Sequence, residues 1–378
     1  MSNENANAAP ASRKVLDVPR VGFYNGGNTG PEDFPFPSCL AAALDAAGQP
    51  IEWTEFVAPD KVWRNNHTNK RLLAATGMGF SILWRKSEPC FSSSDLTLIN
   101  DHDETIRRAF AYVGREFEIV KTESAEQTAL FARIRKSIDD GVPVVAFGIV
   151  GPPEACLVTG YDSEDLALVG WTFFPDDAGG DLEPNGMFRK TDWIKTAWKF
   201  VFIGERTEPT LTDEQVVRDG ADFLRRTENA GEAYHAGTAA FDAWREFVEA
   251  PLPDPDDEKS CRQRCEMHHM SVGTIAEARC YAGDYLRHLA DSFDGVVERK
   301  DYAYGLRQAA AMFATEHDLM WDAWNTLGGN GSPDAWKEFR DPAKRARLAA
   351  IIADAQRLDR LALRYLDRAI AGKQNWQE

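Results

Sequence analysis

Three apolar runs in the middle of the chain predict the core of a β-sheet. They cover residues 142–150, 155–161 and 166–174, and the turn sequences Gly-Pro-Pro and Asp-Ser-Glu-Asp separate them. Short apolar runs bounded by turn residues are typical of buried strands, and short turns predict that neighbouring strands are antiparallel. Runs at 20–24, 77–84, 117–120 and 200–204 predict further strands. We therefore expect an antiparallel sheet built around a meander.

An almost wholly apolar segment follows two prolines near the start of the chain. Pro35 and Pro37 are expected to hold the approach extended, because proline lacks an amide hydrogen and disfavours helical geometry in the preceding residue. Ser38 can cap a helix that ends near Gly48 after about ten residues. Such an apolar helix belongs inside a fold. Cys39 would lie in its first turn, where unpaired N–H groups and the helix dipole stabilise a thiolate.

Helical periodicity occurs in both halves of the chain and dominates the second half. Helices are predicted at 51–57, 60–75, 103–115, 124–139, 212–228, 232–249, 258–270, 273–293, 301–326 and 342–371. The tripeptide Asp-Ala-Trp recurs at 242–244, 322–324 and 334–336, and its irregular spacing is not that of a solenoid repeat. We expect these tryptophans to anchor helix packing. The predicted organisation is a disordered tail at 1–14, an α+β domain at 15–208 and an all-α helical bundle at 209–378.

Composition and charge narrow the class of partner. The 378 residues carry a net charge of −17, from 60 acidic and 43 basic side chains. Nucleic acid and anionic membrane surfaces both require a basic face, so neither is expected as a partner. No apolar run is long enough to span a membrane and no secretory signal precedes the first strand, which predicts a cytoplasmic protein. The six cysteines are sparse and are expected to be reduced thiols, with Cys156 in the core.

The order of these elements resembles that of papain-like cysteine peptidases. The similarity covers about residues 20–205 and is closer to the compact group that includes the peptidases of bacteriocin exporters and the acyltransferase of butirosin assembly. The segment Glu154-Ala155-Cys156-Leu157-Val158-Thr159-Gly160-Tyr161-Asp162 is similar to the strand that carries the catalytic histidine of that family. The resemblance implies a papain-like domain, a helix with an N-terminal cysteine packed on an antiparallel sheet, followed by the all-α bundle.

This chain departs from the family pattern at three positions. Glu154 stands where the resemblance places the histidine. The Asp or Asn that orients the histidine falls near Gly170 and Trp171, and the glutamine of the oxyanion hole falls near Asp33 and Phe34, so none of these residues matches its expected role. A standard Cys-His-Asn or Cys-His-Asp triad is therefore not expected.

Cys39 and Glu154 remain the candidate catalytic pair. An ionised Glu154 is a weak base towards a thiol, and its negative charge disfavours the thiolate. In a dry site the two groups could instead share a proton, and Glu154 could then donate to a leaving group or, when charged, bind a substrate amine. His67 and His102 are the alternative bases in this half, although both lie in polar stretches typical of the surface.

Two functions from different classes follow from these residues. The first is a cysteine-centred hydrolase or acyl transferase that acts on an amide or thioester, with Cys39 and Glu154 as catalytic residues and Ser38, Trp171 and Asn185 contacting substrate. The second is a catalytically inactive papain-like module that binds a peptide or a small amine-bearing molecule in the same cleft. Neither requires a cofactor, and the helical domain is a candidate surface for self-association.

The helical half offers a third possibility, a metal site. Glu232 with His235 and Glu266 with His269 are both Glu-x-x-His pairs on predicted helices, a motif found in di-iron carboxylate bundles. Another candidate is a zinc site formed by Cys261 and Cys265 with His268 or His269, which would share a helical stripe. A purely structural bundle is the simpler interpretation of the same residues.

Overall fold

A computed structural model of the chain describes residues 12–23, 34–57, 62–87, 102–227, 233–252, 257–329 and 331–372. The described helices are α1 (Pro35–Ala46), α2 (His67–Thr76), α3 (His102–Val113), α4 (Gln127–Asp139), α5 (Asp213–Arg225), α6 (Gly237–Glu249), α7 (Glu258–Asp291), α8 (Lys300–Thr326), α9 (Ala335–Phe339) and α10 (Pro342–Ala371). The described strands are β1 (Arg13–Val15), β2 (Trp53–Val57), β3 (Val62–Asn66), β4 (Leu83–Arg85), β5 (Arg115–Lys121), β6 (Val144–Phe147), β7 (Ala155–Asp162), β8 (Ala167–Trp171), β9 (Phe188–Lys190), β10 (Lys199–Arg206) and β11 (Tyr234–Ala236). Within these ranges, no helix combines the length and the apolar character that a membrane span requires.

The chain divides into two compact units, which we call the sheet unit and the helical unit. The sheet unit comprises the described residues of Met1–Asn69 and Gly114–Glu208, and the helical unit those of Lys70–Val113 and Pro209–Glu378. Residues 70–113 were predicted to lie in the α+β domain, and the structure instead places them with the C-terminal helices. The aromatic ring of Phe80 lies 6.1 Å from that of Phe313 in α8, so this segment forms part of the core of the bundle.

A seven-stranded antiparallel sheet organises the sheet unit, with strand order β5-β10-β6-β7-β8-β9 and with β1 paired to β7, while β2 and β3 form a separate two-stranded sheet. The predicted meander is confirmed, because β7 pairs with β6 on one side and with β8 on the other. The predicted strand at 200–204 is confirmed as β10, which pairs with both β5 and β6. The protein is thus a mixed α+β protein with antiparallel sheets and a C-terminal helical region.

Strand β1 corrects the predicted tail. Arg13 and Lys14 fall within the segment expected to be disordered, yet they pair with Asp162 and Tyr161 of β7. A glycine makes this pairing possible, since a Cβ atom at Gly160 would lie 2.5 Å from the carbonyl oxygen of Lys14. Residues 1–11 lie outside the described part of the chain.

Several predicted local elements are wrong. Residues 51–57 were expected to be helical, but 53–57 form strand β2, which pairs antiparallel with β3. The strand expected at 77–84 is a 3₁₀ turn at Met78–Phe80 followed by β4, which pairs with β11 of the same unit. The strand expected at 20–24 is irregular as far as Phe23. The β-branched residues of 51–57 favour a strand once a partner strand is present, and only the folded chain supplies that partner.

The helical unit contains long helices, and its tryptophans lie where they were expected. Trp244, Trp324 and Trp336 are all buried in one apolar cluster, which confirms their predicted role in helix packing. The break expected near Gly273 is wrong, since α7 runs through it without interruption. A Cβ atom at Gly273 would lie 3.4 Å from the Trp324 ring, which is ordinary van der Waals contact, so α7 and α8 pack closely at this position.

A buried charged cluster joins three helices of this unit. Arg279 of α7 is fully buried and donates to both carboxylate oxygens of Asp359 in α10, at 2.8 and 2.7 Å. It also donates to the carbonyl oxygens of Gly79 and Ser81. Glu316 of α8 lies 3.5 Å from the same guanidinium. The carboxylate oxygens of Glu316 accept no hydrogen bond among the described residues.

Glu316 is therefore expected to hold a proton. Burial raises the pKa of this carboxyl well above its usual range, and the charge of Asp359 raises it further. A protonated Glu316 can donate a hydrogen bond to Asp359, whereas a second carboxylate there would repel it. The guanidinium of Arg279 and the carboxylate of Asp359 then form one compensated pair inside the bundle.

Replacing Asp359 and replacing Glu316 should change the free energy of unfolding by different amounts. Asp359→Asn leaves the Arg279 guanidinium without its charge partner, and we expect it to lower the free energy of unfolding by about 3–5 kcal/mol. Glu316→Gln keeps a neutral side chain of the same shape and should leave that free energy nearly unchanged at pH 5. Urea unfolding followed by tryptophan fluorescence measures both.

The pH dependence gives the sign of the Glu316 contribution. Because the folded-state pKa is raised, its contribution to stability is greatest below the ordinary carboxyl range and decreases as pH rises towards the folded-state pKa. Glu316→Gln should therefore remove part of the loss of stability that occurs as the pH rises above about 5. Parallel pH profiles for the two proteins would contradict a protonated Glu316.

Candidate functional site

Helix α1 begins three residues earlier than the sequence predicts. Pro35 and Pro37 lie inside its first turn and do not hold an extended approach, because first-turn amide groups need no helical acceptor. The backbone N–H of Ser38 is bonded to the carbonyl of Phe34, at 3.3 Å, so Ser38 is not the cap residue. Cys39 consequently lies in the second turn, where the influence of the helix dipole has largely decayed.

The Cys39 thiol is enclosed within the sheet unit. Every residue from Pro35 to Leu44 is buried, and the exposed fraction of Cys39 is 0%. Helix α1 packs against β6 and β7, and the ring of Phe36 lies 5.8 Å from that of Phe147. A nucleophilic thiol must be accessible to its substrate and must have a stabilised thiolate. The packing around Cys39 prevents both.

Glu154 lies immediately before β7. Its carbonyl oxygen accepts from the N–H of Gly148 at 3.0 Å, which fixes the connection between β6 and β7. Burial raises the pKa of Cys39 well above its ordinary value, and Coulombic interactions with Cys156 and Glu154 raise it further. The charge of Glu154 therefore acts on the Cys39 thiol, and its effect favours the neutral thiol and not the thiolate.

Cys156 is a core residue, as predicted. Its exposed fraction is 1%, and its thiol lies 3.8 Å from the carbonyl oxygen of Val150. Burial raises its pKa, and the charge of Glu154 adds to that effect. Two neutral thiols therefore accompany one carboxylate in this part of the sheet unit.

Ser38 contacts a residue that the sequence did not single out. The amide nitrogen of Asn69 donates to the Ser38 hydroxyl at 2.6 Å, and both side chains are buried. The other amide atom, Oδ1 of Asn69, is buried and accepts no hydrogen bond among the described residues. The polar sequence around Asn69 is typical of a solvated surface, so no local signal indicated that its amide would lie next to the α1 segment.

Trp171 and Asn185 form a second group at the end of β8. The indole Nε1 of Trp171 is buried and has no hydrogen-bond partner in the described part of the chain, and the Arg20 guanidinium lies 5.3 Å from the ring centroid. The amide oxygen of Asn185 accepts from the N–H of Met187 at 3.0 Å. A Cβ atom at Gly186 would lie 3.9 Å from the Trp171 ring, so the Asn185 turn borders the indole.

The two candidate replacement histidines do not complete a triad. The Nε2 atom of His67 is 2.6 Å from the hydroxyl of Thr54, and the side chain is buried. His102 begins α3, which belongs to the helical unit. No histidine contributes to the pKa shift of Cys39 among the described residues. The ionisable groups that influence this thiol are a second thiol and a carboxylate, and not an imidazole.

The candidate metal ligands are not gathered into a site. Across the described ranges, no three His, Cys, Asp or Glu side chains are arranged to hold a metal ion. Cys261, Cys265 and His268 are buried in α7. The Nδ1 atom of His268 accepts from the indole N–H of Trp244 at 3.2 Å, and burial lowers its pKa to about 3. Glu232, a member of one predicted pair, lies outside the described residues.

Comparisons with known protein families and with curated proteins give no functional assignment. No model of a known protein family matches this chain, and no curated protein matches it significantly.

The environment of Cys39 predicts slow thiol chemistry. In the native protein at pH 7.5, N-ethylmaleimide should modify Cys39 more slowly than the partly exposed Cys280, because Cys39 has no solvent access. Glu154→Gln removes a charge that raises the Cys39 pKa, so labelling of Cys39 at alkaline pH should increase. Peptide mapping by mass spectrometry measures both rates. Preferential labelling of Cys39 at neutral pH would contradict this description of the site.

Proposed function

We propose that the sheet unit is a papain-like module without thiol catalysis that binds a peptide or a small amine-bearing molecule. The observation that carries the proposal is the environment of Cys39, where burial and a nearby carboxylate both raise the pKa of the thiol. Thiol catalysis requires the opposite change. The resemblance to papain-like proteins supplies the expectation of a cleft, and Glu154 at the histidine position supplies a charge suited to binding an amine.

Glu154 is the anchor in this proposal. The residue is partly exposed, with its Oε2 atom buried, whereas Cys39 and Cys156 are wholly buried. Glu154 is therefore the most accessible residue of the three. A protonated amine would donate to the carboxylate in a charge-assisted hydrogen bond. Trp171 and the Asn185 turn supply an aromatic surface and backbone polar groups within the same unit, which suits a peptide or another small organic amine.

The binding proposal is tested with a matched pair of peptides. Tetra-alanine amide with a free amino terminus should bind, and the N-acetylated form should bind about tenfold more weakly, since a hydrogen bond to a charged group contributes about 1.5–3 kcal/mol. Glu154→Gln should remove that difference. Isothermal titration calorimetry on the full chain measures the affinities.

Glu164→Gln provides the matched control for this test, because Glu164 is an exposed acid in the turn between β7 and β8. It should leave the preference for the free amine intact. Equal affinity of the two peptides for the unaltered protein, or an unchanged preference in Glu164→Gln and Glu154→Gln alike, would refute Glu154 as the anchor.

The catalytic alternative needs a base that can interact with Cys39, and Glu154 is an acidic residue whose charge acts on that thiol. In that reaction the thiol proton passes to the Glu154 carboxylate while sulfur attacks the carbonyl carbon of an amide or thioester. Glu154 then returns the proton to the leaving amine or thiol, and water or an acceptor amine cleaves the acyl-thioester. Both groups would need to share a proton in a dry site.

A thioester substrate separates the two functions. If the sheet unit is a binding module, hydrolysis of S-phenyl thioacetate should proceed at the same rate with the unaltered protein and with Cys39→Ser. A cysteine-centred enzyme would lose at least about a hundredfold in rate on this substitution, because the hydroxyl is a far weaker nucleophile. Such a loss would overturn the binding proposal and establish the hydrolase or acyl transferase.

A further inference from the structure

A cavity of about 260 Å³ lies within the helical unit. It forms where the start of α5, the start of α8 with the 3₁₀ turn before it, and the end of α10 come together. The lining residues that bear on its chemistry are Glu214, Arg218, Glu298, Arg299, Tyr302 and Ile370. Its wall therefore combines acids, arginines, a phenol and an apolar side chain.

One charged pair in this wall is satisfied internally. Arg299 forms an ion pair with Glu214. The Arg299 guanidinium also lies 5.5 Å from the ring centroid of Phe293 and 5.6 Å from that of Tyr302. The two rings hold the guanidinium in place, so this pair forms a fixed side of the cavity.

The hydroxyl of Tyr302 is a donor without an acceptor. Its oxygen is buried and has no hydrogen-bond partner among the residues that the structure describes. Two other tyrosines of the unit, Tyr112 and Tyr285, each donate to Asp213 at 2.8 Å. Burial, followed by the charge of Glu214, raises the pKa of Tyr302 to about 12, so the phenol keeps its proton at neutral pH. A buried donor of this kind is rare unless a ligand or water accepts from it.

Arg218 and Glu298 line the same cavity and have opposite charges. Neither side chain forms a hydrogen bond or ion pair within the described ranges, and their charged groups are therefore too far apart to pair with each other. The charges of Arg299 and Arg218 both act on the Tyr302 hydroxyl, in opposition to the larger effect of Glu214. The cavity thus presents a phenol donor and two arginines together with three acids, Glu214, Glu298 and Asp301.

The end of α10 contributes an apolar wall and a negative potential. Ile370 lies in the last turn of this helix, and Gly372 ends it in the left-handed conformation with φ 60°. Carbonyl groups at the C-terminus of a helix carry partial negative charge and favour cations. This wall therefore suits an apolar group close to an ammonium.

We propose that this cavity binds a small zwitterion of the α-amino acid class. The carboxylate of the ligand accepts from the Tyr302 hydroxyl and the Arg218 guanidinium, the ammonium faces Glu298, and the side chain contacts Ile370. Arg218 and Glu298 are exposed, so water solvates their charges in the free protein and a ligand can reach both. A simple anion would gain no contact with Glu298, and a simple cation would gain none with Arg218 or the phenol.

Three ligands of the same shape test the charge requirement. They are L-leucine, 3-methylbutylamine, which lacks the carboxylate, and 4-methylpentanoate, which lacks the ammonium. Each natural L-amino acid is first tested singly with the full chain by thermal shift, and the three-ligand series is then measured by calorimetry. We expect an amino acid to bind and each single-charge analogue to bind at least about tenfold more weakly. Binding of neither leucine nor any other amino acid, or equal binding of a single-charge analogue, overturns the proposal.

Substitutions assign the two charges separately. Arg218→Gln should reduce the advantage of leucine over 3-methylbutylamine about tenfold, and Glu298→Gln should do the same for leucine over 4-methylpentanoate. Arg347→Gln and Glu249→Gln alter exposed residues outside the cavity and serve as matched controls. Amino acid binding that is unchanged in both cavity variants refutes the assignment.

Tyr302→Phe separates binding from structural support. Without ligand, its melting temperature should equal or exceed that of the unaltered protein, because the substitution removes a buried hydroxyl that has no partner. Its affinity for the amino acid should fall, while the affinity for 3-methylbutylamine should not. A lower melting temperature without ligand would show that the hydroxyl serves the fold and would overturn its role in binding.

Discussion

Helix α1 is buried along almost its whole length, and this burial determines the chemistry available to the sheet unit. A thiolate depends on water or on nearby positive charge for its stability. The Cys39 thiol has neither, because it lies in the second turn of the helix and its nearest ionisable influences are a second thiol and a carboxylate. The same packing that stabilises the fold therefore keeps the thiol neutral.

In the helical unit, by contrast, a buried group remains charged. The Arg279 guanidinium remains charged because Asp359 and two carbonyl oxygens satisfy its donors. Glu316, next to them, retains a proton, since two carboxylates would carry more negative charge than the single positive charge of Arg279 can balance. Three long helices and the segment around Gly79 meet at this cluster. The packing of the helices and the hydrogen bonding of the buried charged groups are therefore coupled at this cluster, and a substitution that alters the packing also alters the hydrogen bonds.

Residues of one type have different roles depending on their partners. Tyr112 and Tyr285 donate to Asp213 and complete the structure around the start of α5. Tyr302, close to them, has a buried hydroxyl without an acceptor and lines a cavity. A tyrosine hydroxyl with an acceptor supports the structure, whereas a buried hydroxyl without an acceptor that borders a cavity is a candidate ligand contact. This distinction separates the amino acid site from the surrounding core.

The sequence by itself determined the meander of β6, β7 and β8 and the helical character of the C-terminal region, because hydrophobic periodicity and turn residues are local signals. Through the family resemblance it also led to the prediction that Cys39 and Glu154 form a pair. The tertiary structure alone decided that α1 begins at Pro35, that residues 70–113 join the helical unit and that the Asn69 amide reaches Ser38. Each of these depends on contacts between residues distant in sequence, and the pKa of a thiol depends on the burial that such contacts produce.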